Sequence, residues 1–176
     1  STTKTVAGVT RGAISNSSRY GYDSLDQVRA AATELFDPRV GGAPSWNVSW
    51  FHYDGYGRTT KEVSPAGRAI SYDYDSLGRV RRKRRHAAFD AAPDHPAPPT
   101  STNDDAVIEF GQDDNGNLAS ATVRGNSVDH VYSLFYDGFD RRVMLVDPVG
   151  TVTTQTLDAA GNIVRVKVDG QRVAND

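Results

Sequence analysis

The stretch Tyr74-Asp75-Ser76-Leu77-Gly78-Arg79 decides the fold, because its pattern returns along the chain. The pattern is an aromatic or apolar residue, Asp, two variable residues, Gly or Asp, and then Arg, Asn or Gln. Close copies are Tyr22–Gln27 and Tyr53–Arg58, and weaker copies are Gln112–Asn117, Tyr136–Arg141 and Leu157–Asn162. The clean spacing is 21 residues (74 − 53). Such repetition predicts an architecture of short units that bury their apolar side chains against their neighbours.

Each copy has the residues of a tight turn. An Asp at the first turn position accepts hydrogen bonds from the backbone two residues on, and a Gly three residues later takes a positive φ without steric cost. This predicts turn-forming roles for Asp23, Asp54, Gly57, Asp75, Gly78, Asp113, Gly116, Asp137, Asp158 and Gly161. Asp26 and Asp140 replace Gly in two copies, and Asp is among the few residues that tolerate the left-handed region.

A second kind of turn lies midway through the clean units, at Ser64-Pro65-Ala66-Gly67 and Asp147-Pro148-Val149-Gly150. Pro presets φ for the second turn position and Gly closes the turn. The segments between turns have strand character, and they include residues 69–74, 151–157 and 162–168. Residues 26–36 contain a run of alanines, but the repeat phase favours a strand there over a helix.

These features predict an all-β fold built of antiparallel hairpin repeats that form a β-ribbon. Side chains alternate between the two faces of a strand, so Tyr72 shares a face with Tyr74. We predict that the tyrosines of successive copies stack on one face, since aromatic cross-strand pairs stabilise sheets. The predicted stacking face consists of Tyr22, Tyr53, Tyr72, Tyr74 and Tyr136.

The pattern Gly67-x4-Tyr72-x-Tyr74-Asp75-x2-Gly78-Arg79, preceded by Pro65, closely resembles the YD repeat of Rhs proteins. The same repeats occur in the C subunits of bacterial Tc toxins and in teneurins. The resemblance covers residues 20–168. It implies that the ribbon is part of a larger hollow β-shell, which in the bacterial proteins encloses a toxic C-terminal domain before delivery.

The function implied by the resemblance is structural: a fragment of a shell that encapsulates a toxin or cargo domain, secreted or at the cell surface of a bacterium. The alternative is a cell-surface adhesion or carbohydrate-binding module that uses the same repeats in an open form. An enzyme is not predicted, because no acid–base or nucleophile constellation lies outside the repeat phase. No histidine has a neighbour at metal-ligand spacing, so neither a metal nor another cofactor is expected.

Composition narrows the function classes further. The net charge of −2 gives no whole-chain electrostatic argument for nucleic acid. The absence of cysteine excludes disulfide frameworks and cysteine-based zinc or catalytic sites. No apolar run approaches the length of a membrane span, and the first residues, 1–4, do not form a signal peptide.

We predict three regions along the chain: a polar N-terminal segment at 1–19, the repeats at 20–168, and an end at 169–176 that continues into further repeats. A few hairpins leave two open sheet edges, which invite pairing with another strand. The chain is therefore expected to be a fragment of a longer polypeptide, or to pair through these edges with other shell segments, another protein chain or a copy of itself.

Two insertions interrupt the repeats, at about 39–50 and 81–105. The first holds Trp46 and Trp50, which either pack at one end of the sheet or form an aromatic platform for a sugar. The second begins with a basic run and continues into a proline-rich loop, expected to be extended and exposed. The basic run, Arg81, Arg82, Lys83, Arg84 and Arg85, is open to three interpretations: a charged edge strand, a patch for an anionic partner, or a processing site in a flexible loop.

Overall fold

Strands and the turns between them make up the part of the chain that the computed structural model describes. The described residues are 4–6, for which only the backbone is described, and 17–35, 45–125 and 128–170. Most of the predicted N-terminal segment, 1–19, and of the C-terminal end, 169–176, lies outside them. The chain divides into two units. Unit 1 contains residues 1–73 and 84–105, and unit 2 contains residues 74–83 and 106–176.

Unit 1 is an antiparallel meander. Its strands are β1 (Lys4–Val6), β2 (Ser18–Tyr22), β3 (Val28–Leu35), β4 (Ser45–Tyr53), β5 (Thr59–Val63), β6 (Arg68–Tyr74) and the second half of β7 (Val80–Phe89). From β1 to β6, each strand pairs with the strand that follows it in sequence. Residues 26–36 therefore contain a strand, as the repeat phase predicts, and not a helix.

Unit 2 repeats the same arrangement. It holds the first half of β7, followed by β8 (Ala106–Gln112), β9 (Leu118–Arg124), β10 (His130–Tyr136), β11 (Arg142–Val146), β12 (Val152–Leu157) and β13 (Ile163–Asp169). From β8 to β13, each strand again pairs in antiparallel fashion with its neighbour in sequence. The predicted all-β fold of antiparallel hairpins is confirmed.

Where a hairpin is closed by the repeat phrase and its register is described, a one-residue bulge follows the turn. In β4 and β5, Tyr53 pairs with Thr59 and His52 pairs with Lys61, so Thr60 has no residue opposite it. The same shift occurs between β2 and β3, β8 and β9, β10 and β11, and β12 and β13. A bulge bends its strand and increases the local twist, so the turn and its bulge form one repeated structural element.

Burial differs between the two units. In unit 1, Val63 and Ala69 lie opposite each other on β5 and β6 and are buried, together with polar residues. The buried polar residues are His52, Lys61, His86 and Asp105. In the described part of unit 2, no side chain is buried. The described residues of unit 2 therefore form a single layer of sheet without a hydrophobic core of their own.

Strands contain part of each predicted insertion. Strand β4 begins at Ser45, so Trp46 and Trp50 lie inside a strand. Strand β7 extends to Phe89, so the basic run is also in a strand and not in a loop. What remains of the second insertion is residues 90–105, which contain no strand and which we call the strap.

Candidate functional site

The turn at Asp75 shows how the repeat phrase folds. The backbone N–H of Asp75 donates to the carbonyl of Arg79 at 2.9 Å, and the N–H of Gly78 donates to the carbonyl of Asp75 at 3.0 Å. The Asp75 Oδ1 atom accepts the N–H groups of Leu77 and Arg79, both at 2.9 Å. Its Oδ2 atom accepts the Arg79 Nε–H at 2.7 Å. One carboxylate thus holds both sides of the turn.

The other copies of the phrase have the same geometry. The backbone N–H of Asp23, Asp54, Asp113, Asp137 and Asp158 donates in each case to the carbonyl four residues on. The residue that closes each turn has a positive φ: Gly57, Gly78, Gly116 and Gly161, with Asp26 and Asp140 at 58° and 59° in the remaining copies. Hydrogen bonds from Arg58 and Arg141 lower the pKa of Asp54 and Asp137 respectively. The lowered pKa favours the ionised form of each carboxylate, which accepts hydrogen bonds from the N–H groups of its turn.

Two tyrosines connect successive copies of the phrase. The Tyr53 hydroxyl donates to the carbonyl of Val28 at 2.9 Å, and the Tyr136 hydroxyl donates to the carbonyl of Leu118 at 3.0 Å. Val28 and Leu118 are the first strand residues after the preceding phrase. Tyr22, Tyr72 and Tyr74 are half-buried. The hydroxyl links were not expected from the sequence, and the stacked tyrosine row stays a prediction.

The two tryptophans lie in β4 with different surroundings. Trp46 is covered by the guanidinium of Arg19, 4.3 Å from the centre of its ring. Trp50 pairs across the sheet with Ala30 on one side and Val63 on the other. Both rings are half-buried. Trp50 also lines a cavity of about 380 Å³ with Gly21, Tyr22, Arg29, Ala30 and Asp94.

Side chains of β3, β4 and β5 hold the strap against the sheet of unit 1. Lys61 of β5 donates to the carbonyls of His95 and Ala97, the latter at 3.1 Å. His52 of β4 donates through Nε2 to the carbonyl of Pro93 at 2.8 Å, and Arg29 of β3 donates to the carbonyl of Asp94 at 2.9 Å. Most strap residues are exposed, as predicted, but their backbone carbonyls cover polar side chains of the sheet.

The centre of this contact is a buried ion pair. The Lys61 Nζ atom lies 2.7 Å from Asp90 Oδ2, and the two side chains are 0% and 5% exposed. Burial raises the pKa of Asp90, but the hydrogen bonds from Lys61 and from the Ala92 N–H outweigh it, so the pKa is lowered. Burial also lowers the pKa of His52, so the neutral imidazole is favoured. The strap is thus anchored by a charge pair that water does not reach.

A second polar cluster lies at the other end of the strap. The Ser71 Oγ and His86 Nε2 atoms are 2.9 Å apart, and His86 Nδ1 is 3.5 Å from Asp105 Oδ2. Asp105 also accepts the N–H of Ala87 and both the N–H and the hydroxyl of Thr102. A serine, a histidine and an aspartate in this order resemble a hydrolytic triad. However, Ser71 does not belong to the wall of the cavity beside His86.

The basic run is divided between the two units, and much of its charge is paired. In unit 2, Arg82 forms an ion pair with Glu109 of β8 at 2.7 Å. In unit 1, Arg84 lies 3.4 Å from Asp105. Lys83 also has an interaction partner. Arg81 and Arg85 are exposed. The run lies within strand β7 and not in a loop. Its role as a charged strand or as a patch for an anionic partner stays a prediction.

The anchors of the strap do not follow from the sequence pattern. Lys61, Asp90 and Asp105 all lie outside the repeat phrase, and no sequence spacing pairs Lys61 with Asp90. Lys61 and Asp90 are 29 residues apart. The one available signal was the alternation of β5, which places Lys61 on the same face as Val63.

Comparison with known proteins supports the repeat assignment. Residues 53–88 match the family model of the RHS repeat, which confirms the resemblance to the Rhs and YD-repeat family. No curated protein matches the chain.

Several solved structures resemble the chain. One is the Photorhabdus luminescens Tc holotoxin pore with a mutation in TccC3, with a TM-score of 0.68, 14% sequence identity and coverage of 89% of this chain. Two others are TcdB2-TccC3-Cdc42 and TcdB2-TccC3 without its hypervariable C-terminal region, each with a TM-score of 0.38 and coverage of 89% of this chain, at 10% and 9% identity. At these identities the first likeness shows the fold alone. This chain spans 8% of the first of these chains and 12% of each of the other two.

Within the described ranges, no helix is long and apolar enough to cross a membrane.

Proposed function

We propose that this chain is a structural segment in the wall of an Rhs-type β-shell, which encloses a toxin or other cargo domain for delivery by a bacterium. The observation that supports this proposal most is the single-layer sheet of unit 2, in whose described part no side chain is buried. Such a sheet is stabilised when something covers its faces and pairs with its edges. Other shell segments would pair with the edges, and the cargo would lie against one face.

Strand β13 shows the uncovered sheet most clearly. Val164, Val166 and Val168 are 62%, 54% and 62% exposed, and the charged residues between them are exposed as well. Contiguous exposed apolar residues in a protein indicate a surface that contacts something else. The fold likeness to the Tc holotoxin pore supports the same interpretation, because that fold belongs to a toxin assembly. A secreted or cell-surface location follows from this proposal, and the wall needs no catalytic step.

The test compares the two faces of one strand. The chain contains no cysteine, so Val166→Cys and Lys167→Cys each place one thiol on opposite faces of β13. In the native assembly purified from producing cells, we expect a maleimide too bulky to enter a closed shell to label one variant far more slowly than the other. Denaturation should make the two rates equal. Equal labelling rates in the native assembly would contradict the wall function.

A carbohydrate-binding role is the second candidate, and the cavity beside Trp50 favours it. Trp50 and Tyr22 provide aromatic faces, and Arg29 and Asp94 provide polar groups of the kind that bind sugar hydroxyls. Glycan-array binding that is lost in Trp50→Ala but kept in Trp46→Ala, whose ring is covered by Arg19, would support it. An array without any binding would exclude this candidate.

A further inference from the structure

A second cavity of unit 1 has a different chemistry. It has a volume of about 430 Å³, and its wall consists of Arg68, Arg85, His86, Ala87 and Asp104. These residues come from β6, β7 and the end of the strap. The cavity is large enough for a small polar group such as a phosphate or a carboxylate.

Arg68 is held in position within this wall. Its Nη1–H donates to the carbonyl of Ala87 at 2.8 Å, and its guanidinium lies 4.4 Å from the centre of the Phe89 ring. Stacking on an aromatic ring and one hydrogen bond fix the plane of the group. A guanidinium carries five N–H donors, so further donors remain for a ligand.

Arg85 provides a second guanidinium without a described acceptor. Its neighbours Arg82 and Arg84 each have a carboxylate partner, Glu109 and Asp105 respectively. Arg85 is exposed, and no hydrogen bond or ion pair involves it within the described ranges. Its charge is therefore available to a molecule from solution.

His86 adds a buried polar atom that lacks a partner. The side chain is almost fully buried, and its Nδ1 atom is the buried side-chain nitrogen or oxygen that has no hydrogen-bond partner in the described structure. Asp105 Oδ2 lies 3.5 Å from this atom, which is too long for a good hydrogen bond. A buried polar atom without a partner is costly and calls for an explanation, such as a ligand atom that completes it.

We propose that this cavity binds an oxyanion, either a phosphate group or a carboxylate, between Arg68, Arg85 and His86. The cavity wall carries two positive charges and the single negative charge of Asp104, so a bound monoanion would neutralise it. Arginine forks bind the paired oxygens of phosphate and carboxylate groups well. The site would thus give a wall segment a defined contact for an acidic group of a partner.

The test is a titration of the isotope-labelled full chain with inorganic phosphate and, separately, with acetate, followed by NMR. We expect saturable shifts of the His86 ring signals. Arg85→Ala should weaken binding about tenfold, the size expected for one charge-assisted hydrogen bond. The matched control is Arg81→Ala, an exposed arginine of the same strand that does not line the cavity and should leave binding unchanged.

Asp104 tests the electrostatic part of the proposal. Asp104→Asn removes the one negative charge of the cavity wall from an exposed position and should strengthen binding. Tighter binding of phosphate than of acetate would assign the site to phosphoryl groups, and similar binding would assign it to oxyanions in general. Absence of saturable shifts with both anions, or equal weakening by Arg81→Ala and Arg85→Ala, would overturn the proposal.

Discussion

At the scale of single residues, the fold depends on a carboxylate and a left-handed residue placed three positions apart. The carboxylate satisfies the N–H groups inside the turn, and the left-handed residue brings the chain into the next strand with a bulge. Only Gly, and to a lesser degree Asn and Asp, adopts that conformation at small cost. This explains why Gly or Asp closes every copy of the phrase.

Substitutions of Gly78 and Gly55, which lie in two copies of the same turn, test whether the turn needs a left-handed residue. Gly78 has a φ of 81°, whereas Gly55 is not among the positive-φ residues and a Cβ added there would meet no atom within 4 Å. We expect Gly78→Val to lower the free energy of unfolding by about 1–3 kcal/mol, the cost of a strained backbone conformation. Gly55→Val should change it by less than about 0.5 kcal/mol. Urea denaturation measures both, and equal losses would contradict the turn assignment.

Substitution of Lys61 tests how much the buried ion pair with Asp90 stabilises the fold. Lys61→Met keeps most of the side-chain volume but leaves the Asp90 carboxylate and two strap carbonyls without their donor. Removing one partner of a buried pair costs about 3–5 kcal/mol. The matched control is Lys167→Met, which removes a lysine from an exposed pair with Asp169 and should cost little. Similar shifts of the urea midpoint in the two variants would show that the Lys61 pair does not stabilise the fold.

At the scale of elements, the strap is the feature that gives unit 1 a buried interior. Its carbonyls accept hydrogen bonds from β3, β4 and β5, and its two terminal aspartates hold Lys61 and the His86 cluster. A loop that satisfies buried donors in this way acts as a second layer over the sheet. Unit 2 lacks such a cover within the described residues.

The buried histidines make the strap sensitive to acid. Burial lowers the pKa of both His52 and His86 from the ordinary value of 6.5. The unfolded chain therefore takes up protons first as the pH falls, and the stability present above pH 6.5 is lost below it. We expect the urea midpoint to fall as the pH is lowered below this value.

The double variant His52→Gln and His86→Gln should lose this pH dependence between about pH 8 and pH 5, while retaining the loss caused by carboxylate protonation at lower pH. His130→Gln, a change at an exposed histidine of β10, is the control and should keep the dependence of the unmodified chain. A dependence that survives in the double variant would show that other groups cause it.

The elements differ in how far the sequence predicts them. The turns, the strands between them and strand β3 follow from the repeat phase, because their hydrogen bonds are local. The strap does not, because its anchors join residues such as Lys61 and Asp90 through the fold and not through the sequence. The strand at residues 81–85 does not follow either, because this run shows no alternation of apolar and polar residues, although Arg82 and Arg84 form ion pairs with Glu109 and Asp105 within β7.

At the scale of the whole molecule, the important fact is how few side chains are buried. Val63 and Ala69 are the buried apolar residues among those described, and both belong to unit 1. Burial of apolar surface is the main favourable term in folding, so we expect contacts outside the described residues to stabilise this chain. Among the described strands, β13 pairs with β12 alone, and its other edge is where we expect such contacts.

Native mass spectrometry of the purified protein, followed by its denatured intact mass, tests the central claim most directly. If the chain is a wall segment, the native mass exceeds 19.1 kDa, because shell partners pair with its edges or cover its faces. The denatured masses then identify these partners. A stable native monomer of 19.1 kDa would show that the sheet persists without partners, and it would contradict the shell-wall account.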